Sequence, residues 1–472
     1  MSNIQYPVFR IFHILKPISM RSLFAGILIS LVVCSQGLGQ DQKKAGFLSM
    51  VDMQFLEELT RAVVDSSRIF PGQELPPAIR SFGPNRTGIT LIKPGGRDCY
   101  PSFWIRDYAM SLESGLVSKK EQYDILIFTA QRQADRSWIT ANGSLVPAGS
   151  IPDHIRINDG LPVYFPGTYD YVKQGGPIWK MPPYDDNYYF IHMAWIYMDA
   201  SGDPGLLRRR INGIRLADRL EAAFFSVPCN PDNQLVAIDG TFQTVDFGFR
   251  DIVSMTGDVC FGSILKYQAA LELSDLFHRL KNRVKEHEYE ETAGRIREHL
   301  APRFAGGSGF LKASTGLSGQ PDVWATAYAV YADILDEPAR AKACRALAEA
   351  YRAGTISMEG QIRHVPVTDD HNETTAWEKA GAALNTYQNG AYWGTPTGWV
   401  CYAIGQVDPD AASRLAKEYI DHLRKNDFRT GRPGDGGPYE CIFPPAGYQQ
   451  NQVYMTSVTC PLAGFRRIQS NW

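Results

Sequence analysis

Apolar residues recur along most of this chain at steps of three and four, the period of a helix with one buried face. Ala269, Leu273, Leu276 and Leu280, for example, follow one another at intervals of four, three and four. The pattern predicts helices over 53–67, 119–137, 188–201, 204–225, 259–282, 287–300, 323–335, 338–353, 398–407, 409–425 and 453–468. Two starts carry their own punctuation: Asp203-Pro204 and Asp408-Pro409 each place proline at the first helical position behind an aspartate cap. Alternating strand patterns are few and short, at 235–239 and 361–367. No Ser/Gly-rich or charged linker interrupts the series, so one domain over 40–472 is expected. Helices paired in sequence around one axis give an all-α, α/α toroid with short β hairpins in its loops. Its functional groups are expected in the loops at one end.

The first 39 residues read differently. Lys16 and Arg21 precede an apolar run at 23–33, and Gly37 and Gly39 follow it, which is the order of a secretory signal peptide. The run is about half of what a bilayer span requires. Cleavage after Gly39 and export to the periplasm or medium are the expectation. Lipid anchoring through Cys34 fits less well, because bulky Val33 precedes it. Without Cys34, seven cysteines remain, with no CxxC pair and no metal-ligand spacing, so neither a metal site nor a required disulfide is expected. A net charge of −2 offers no basic field for nucleic acid. Aromatic residues make up 12% of the chain, and many Tyr and Trp sit in polar loops, where flat rings can stack on sugar faces.

Four loops hold candidate chemistry. The first, 103–108, sets Trp104, Arg106 and Asp107 within four residues, enough to stack on one sugar and bond its hydroxyls. In the second, Asp185 and Asp186 open a helix, where the macrodipole favours carboxylates whatever their use. The third, 244–251, buries Asp246 among apolar neighbours, and desolvation should keep such an acid protonated. The fourth, 437–444, places Glu440 between Tyr439 and Cys441 in a Gly/Pro setting, followed by Asn451 and Tyr454. An ionised Glu440 there is suited to general-base work.

Taken together, these loops resemble the six-hairpin glycosidases, (α/α)6 toroids that include trehalases and processing α-glucosidases. Asp246 with Arg250 four residues on resembles the family's acid, and Glu440 with Pro444 its base. Trp104-Ile105-Arg106-Asp107 is similar to its first sugar-binding loop, and Tyr387-Gln388-Asn389-Gly390 through Trp393 to the loop opening a late helix. The acid loop reads Val-Asp-Phe, unlike the Ser-Gly-x-Asp of trehalase-like members, so Asp186, Asp251 and Asp258 stay in contention as the acid. The resemblance implies inverting hydrolysis of an oligo- or polysaccharide, with the carboxyls roughly 6.5–9.5 Å apart. It implies Trp104, Arg106, Asp107, Asp186, Arg250, Gln388, Asn389 and Trp393 as sugar ligands, and no cofactor or metal. Alternatives are a phosphorylase, a lyase or epimerase using His154, His364 or His371, and a toroid that binds glycans without turnover.

Overall fold

The computed structural model describes residues 46–96, 98–238 and 244–471. The expected signal peptide and Cys34 lie outside them. Twelve α-helices occur among the described residues, and they alternate strictly between an outer and an inner layer. The outer helices are α1 (Met50–Ser67), α3 (Lys119–Ala130), α5 (Leu216–Ser226), α7 (Arg283–Phe304), α9 (Glu337–Arg352) and α11 (Pro409–Lys425). The inner ones are α2 (Ile105–Ser111), α4 (Asp185–Ser201), α6 (Cys260–Arg279), α8 (Val323–Tyr331), α10 (Thr397–Gly405) and α12 (Thr456–Asn471). Each inner helix packs on the next, α2 on α4, α4 on α6, α6 on α8, α8 on α10 and α10 on α12, and α12 returns to α2. The ring is closed, which is the (α/α)6 toroid.

Composition explains the layering. Every residue of α8 is buried, and its sequence VWATAYAVY carries no charge. By contrast α11 is amphipathic, burying Ala412, Leu415, Ala416, Tyr419 and Leu423 while Arg414, Lys417, Glu418 and Asp421 face water. The Asp408 side chain caps α11 at Ala411 N with Pro409 at the first position, as the sequence predicts. Asp203-Pro204 opens only a short 3-10 helix, Pro204–Arg208; a hairpin follows, and α5 begins at Leu216. α2 escapes the periodicity reading because all seven of its residues, Arg106 and Asp107 included, are buried. The predicted helix 119–137 ends at Ala130.

Where α10 and α12 cross, Gly398 meets Gly464 backbone to backbone; a Cβ on Gly464 would lie 2.7 Å from the Gly398 Cα. A small cavity of about 20 Å³ within the ring is lined by all six inner helices, with Glu113, His192, Gln268 and Glu272 among its walls. Two small sheets complete the pocket end. Ser102–Trp104 pairs with His154–Arg156, which pairs with Pro162–Val163. A five-stranded antiparallel sheet runs in the order Ser357–Met358, Gln361–Arg363, Tyr392–Trp393, Tyr439–Phe443, Tyr448–Gln452.

Candidate active site

The inner helices bring their N-terminal ends together, and polar contacts between those ends define the site. Arg106, in the first turn of α2, pairs with Asp185 (2.5 Å) and Asp186 (3.5 Å) in the first turn of α4, and with Asp153 (3.2 Å). Arg250, in the loop before α6, pairs with Asp322, the N-cap of α8, at 2.6 Å. Tyr454, just before α12, donates to Asp107 of α2 at 2.6 Å. Carboxylates collect here because six helix N-termini supply positive potential and unpaired N–H groups.

Glu440 sits on the strand Tyr439–Phe443, so its backbone is held on both sides by neighbouring strands. Its Oε2 accepts hydrogen bonds from Tyr100 Oη (2.7 Å) and Asn451 Nδ2 (2.5 Å), and Asn451 also donates to Tyr100 Oη (3.0 Å). Burial pushes the Glu440 carboxyl up to about 7 against the pull of those two bonds, with the Asp107 charge adding to the rise. Burial likewise lifts Asp107 to about 6, opposed by the Arg106 guanidinium. Tyr100, Tyr387, Asn451 and Val453 around this carboxyl all hold positive φ, from 43° to 63°. Left-handed non-glycine residues cost on the order of 1–3 kcal/mol each and gather where geometry matters more than stability.

One wall of the site is aromatic. Trp104 lies opposite His154 in the strand register, and the rings stack with centroids 4.5 Å apart. Tyr100 and Tyr169 meet the same indole edge-on at 4.8 and 6.0 Å. Tyr100, Trp104 and Tyr169 are each half-buried, leaving ring surface open to a ligand. His154 is locked by Asp153 at 2.7 Å.

The aspartates separate by environment. Asp246 is 0% exposed; its Oδ2 accepts from Gly262 N of α6, and Arg250 lies 3.8 Å away. Burial raises it to about 6, and the charges acting on it are Arg250, Asp322 and Asp185. The carboxyl is fully buried between Arg250 and the first turn of α6. Asp258 turns outward to Arg303 of α7 at 2.6 Å, and Asp186 is 0% exposed beneath Arg106. Asp251 alone of the four is partly accessible. Burial holds its carboxyl well above the usual range, Arg106 opposes, and the charges of Asp153, Asp185 and Glu440 add to the rise. Tyr387, also half-buried, is pushed well above the usual phenol range, first by burial and then by the charges of Glu440 and Asp251.

Several expected sugar ligands are turned away from the site. Gln388 is fully buried and spends its amide on the main chain at Gly248 and Ile252. Asn389 binds Ala376 N and Ala382 O and closes its own loop. Trp393 is 0% exposed against Phe249 and Trp324. The guanidinium groups of Arg106 and Arg250 are committed to aspartates. Trp104 remains at the wall, with Asp107 beside Glu440. Sequence reading missed Tyr100, Tyr169 and Asp322; the N-cap position of Asp322 is a local signal, but its ion pair with Arg250, the Tyr100 bond to Glu440 and the Tyr169 contact with Trp104 each join positions more than 60 apart. Among the described residues no cluster of three or more ligating side chains suits a metal, and no helix is long and apolar enough to cross a membrane.

No family model matches the sequence, and a comparison with curated proteins returns no match. Solved structures do match. A glucoamylase from Saccharomycopsis fibuligera superposes with TM-score 0.56 at 12% identity, covering 91% of this chain and 98% of that one. A rhamnosidase from Klebsiella oxytoca with rhamnose bound gives 0.53 at 11%, over 91% of this chain and 66% of that one. A GH78 family rhamnosidase of Bacillus sp. GL1 gives 0.54 at 8%, and there the match spans 35% of the larger protein. The chain has the (α/α)6-toroid fold of the six-hairpin glycosidases.

Proposed function

We propose that this protein is a glycoside hydrolase that inverts configuration, with Asp251 as general acid and Glu440 as general base. The carrying observation is that Asp251 is the partly exposed member of the aspartate set, and that its charge and that of Glu440 both act on Tyr387. The fold shared with a glucoamylase and two rhamnosidases supports a carbohydrate substrate. Asp251 donates its proton to the glycosidic oxygen as the bond from C1 to that oxygen breaks. Glu440 takes a proton from the water whose oxygen forms the new bond to C1 on the opposite face. The products are the inverted sugar and the freed alcohol; proton exchange with solvent then resets both carboxyls. The environments suit these roles, since Asp251 is held protonated to higher pH while the Tyr100 and Asn451 bonds favour ionised Glu440. Trp104 and Tyr169 supply the stacking face, and Asp107 lies where it can bind a hydroxyl.

The test is a panel of α-glucosides, α-mannosides and α-rhamnosides with product anomers followed by NMR. A β-configured first product is expected. Retention, phosphate-dependent cleavage, or an unsaturated product would overturn the assignment, as would no turnover on any member. Asp251→Asn and Glu440→Gln should each lower kcat by roughly 10²–10⁴-fold, with Asp246→Asn the milder of the three aspartate and glutamate changes. A larger loss in Asp246→Asn than in Asp251→Asn would return the acid role to Asp246.

A further inference from the structure

A general acid must be held to within a few tenths of an ångström and about 10–20° to deliver its proton in line. Asp251 lies on neither helix nor strand. It follows a single 3-10 turn, Gly248–Arg250, in a loop connection, the kind of segment that is ordinarily the most mobile. Something outside the loop has to fix it.

Gln388 is placed to do so. Its Oε1 accepts from Ile252 N at 3.0 Å and its Nε2 donates to Gly248 O at 3.2 Å. The two bonds bracket Asp251, one residue after it and three before it. The amide orientation is forced, because an N–H faces one end and a C=O the other, and the flipped group would satisfy neither. Gln388 is anchored in turn: the indole of fully buried Trp377 donates to its main-chain carbonyl at 2.9 Å. The same loop pairs with the acid loop twice more, through Gly381 N to Ile252 O (2.8 Å) and Ser254 N to Lys379 O (3.2 Å). From the other side, Asp185 accepts from Gly248 N at 3.1 Å. Arg106 packs so closely on Gly248 that any Cβ there would overlap the guanidinium.

We infer that Gln388 is a positioning residue for the proton donor: a buried amide clamp that fixes the main chain on both sides of Asp251 and so aims its carboxyl at the leaving oxygen. The inference rests on the assignment of Asp251 as acid. It makes a demand that a merely structural side chain would not meet. Loss of the clamp should hurt only those substrates whose leaving group needs a proton.

The experiment compares, for the sugar selected by the panel, the 2,4-dinitrophenyl glycoside, which leaves without protonation, with the methyl glycoside, which does not. Gln388→Met keeps the shape and removes both bonds. It should lose roughly 10- to 100-fold on the methyl glycoside, part of the full acid contribution, and less than about threefold on the dinitrophenyl glycoside. Gln388→Glu retains the acceptor to Ile252 N but sets an oxygen against Gly248 O. It should show the same selective loss, and it serves if the methionine variant does not fold. Equal losses on both substrates, or none, in whichever variant folds would overturn the clamp. Asp251→Asn is run in parallel: if it too responds equally to both leaving groups, the acid assignment falls and the clamp with it. If Asp251→Asn is selective and the Gln388 variants are not, the clamp alone is wrong.

Discussion

Each carboxyl at the pocket end takes its character from what surrounds it, and the same side chain type serves opposite purposes a few residues apart. Asp246 and Asp251 are five positions apart, yet one is fully buried in an ion pair and the other is partly exposed. Glu440 would be a poor base if burial alone acted on it, because burial favours the protonated form. The hydrogen bonds from Tyr100 and Asn451 act in the opposite direction. Tyr100→Phe removes one of them, so the Glu440 value should rise. The acidic limb of the kcat/KM profile should move to higher pH by up to about one unit, while activity on the alkaline plateau changes little. A pH–rate profile checks this; an unmoved limb would separate Tyr100 from the base.

Among the elements, the inner helices illustrate how packing overrides local pattern. α8 and α10 are apolar on every side because each touches two ring neighbours and the outer layer, so they show no amphipathic stripe. α2 carries Arg106 and Asp107 within seven buried residues, and partners on α4, at Asp153 and at Tyr454 just before α12 make that tolerable. The α10–α12 crossing depends on the absence of side chains at Gly398 and Gly464. Gly464→Ala would gain about 1 kcal/mol in helix propensity. The new methyl would press on main chain, which has no rotamer to move to, and overpacking of that kind costs about 1–3 kcal/mol. A net fall in thermal stability is expected, read by the melting temperature. A rise would show that the two helices can part without cost.

At the scale of the whole molecule, the closed ring concentrates acids at one end, and stability should register them. Asp107 and Asp246 have folded-state values near 6 and Glu440 near 7, all above the ordinary carboxyl range. As pH rises, the unfolded chain releases these protons first, so stability falls from about pH 4 to about pH 7 and is level above that. Carboxyls held low, such as Asp52, Glu121 and Asp153, act the other way and lose their contribution only as pH drops below about 4. The melting temperature should therefore peak near pH 4 and be lower at pH 8. Glu440→Gln should remove the upper part of that decline; an unchanged profile would mean that Glu440 is not held protonated in the fold. The site is thus a place where the fold gives up stability to hold acids in working states.

Much of the architecture was legible along the chain. Eleven of the twelve helices among the described residues lie where the sequence predicts one, most of them from apolar residues spaced three and four apart, and the Asp408-Pro409 start follows from cap chemistry, because both depend on interactions within a few residues. Glu440 and Trp104 also stood out, as groups of the right chemistry in polar loops. Tertiary structure alone decided which acids are buried. Burial of Asp246, the outward turn of Asp258 to Arg303, and the use of Gln388 on backbone at 248 and 252 all depend on segments tens to more than a hundred positions apart. Accessibility, ionisation and hydrogen-bond partnership are properties of assembled surroundings, and a linear pattern carries no record of which side of a wall a side chain will face.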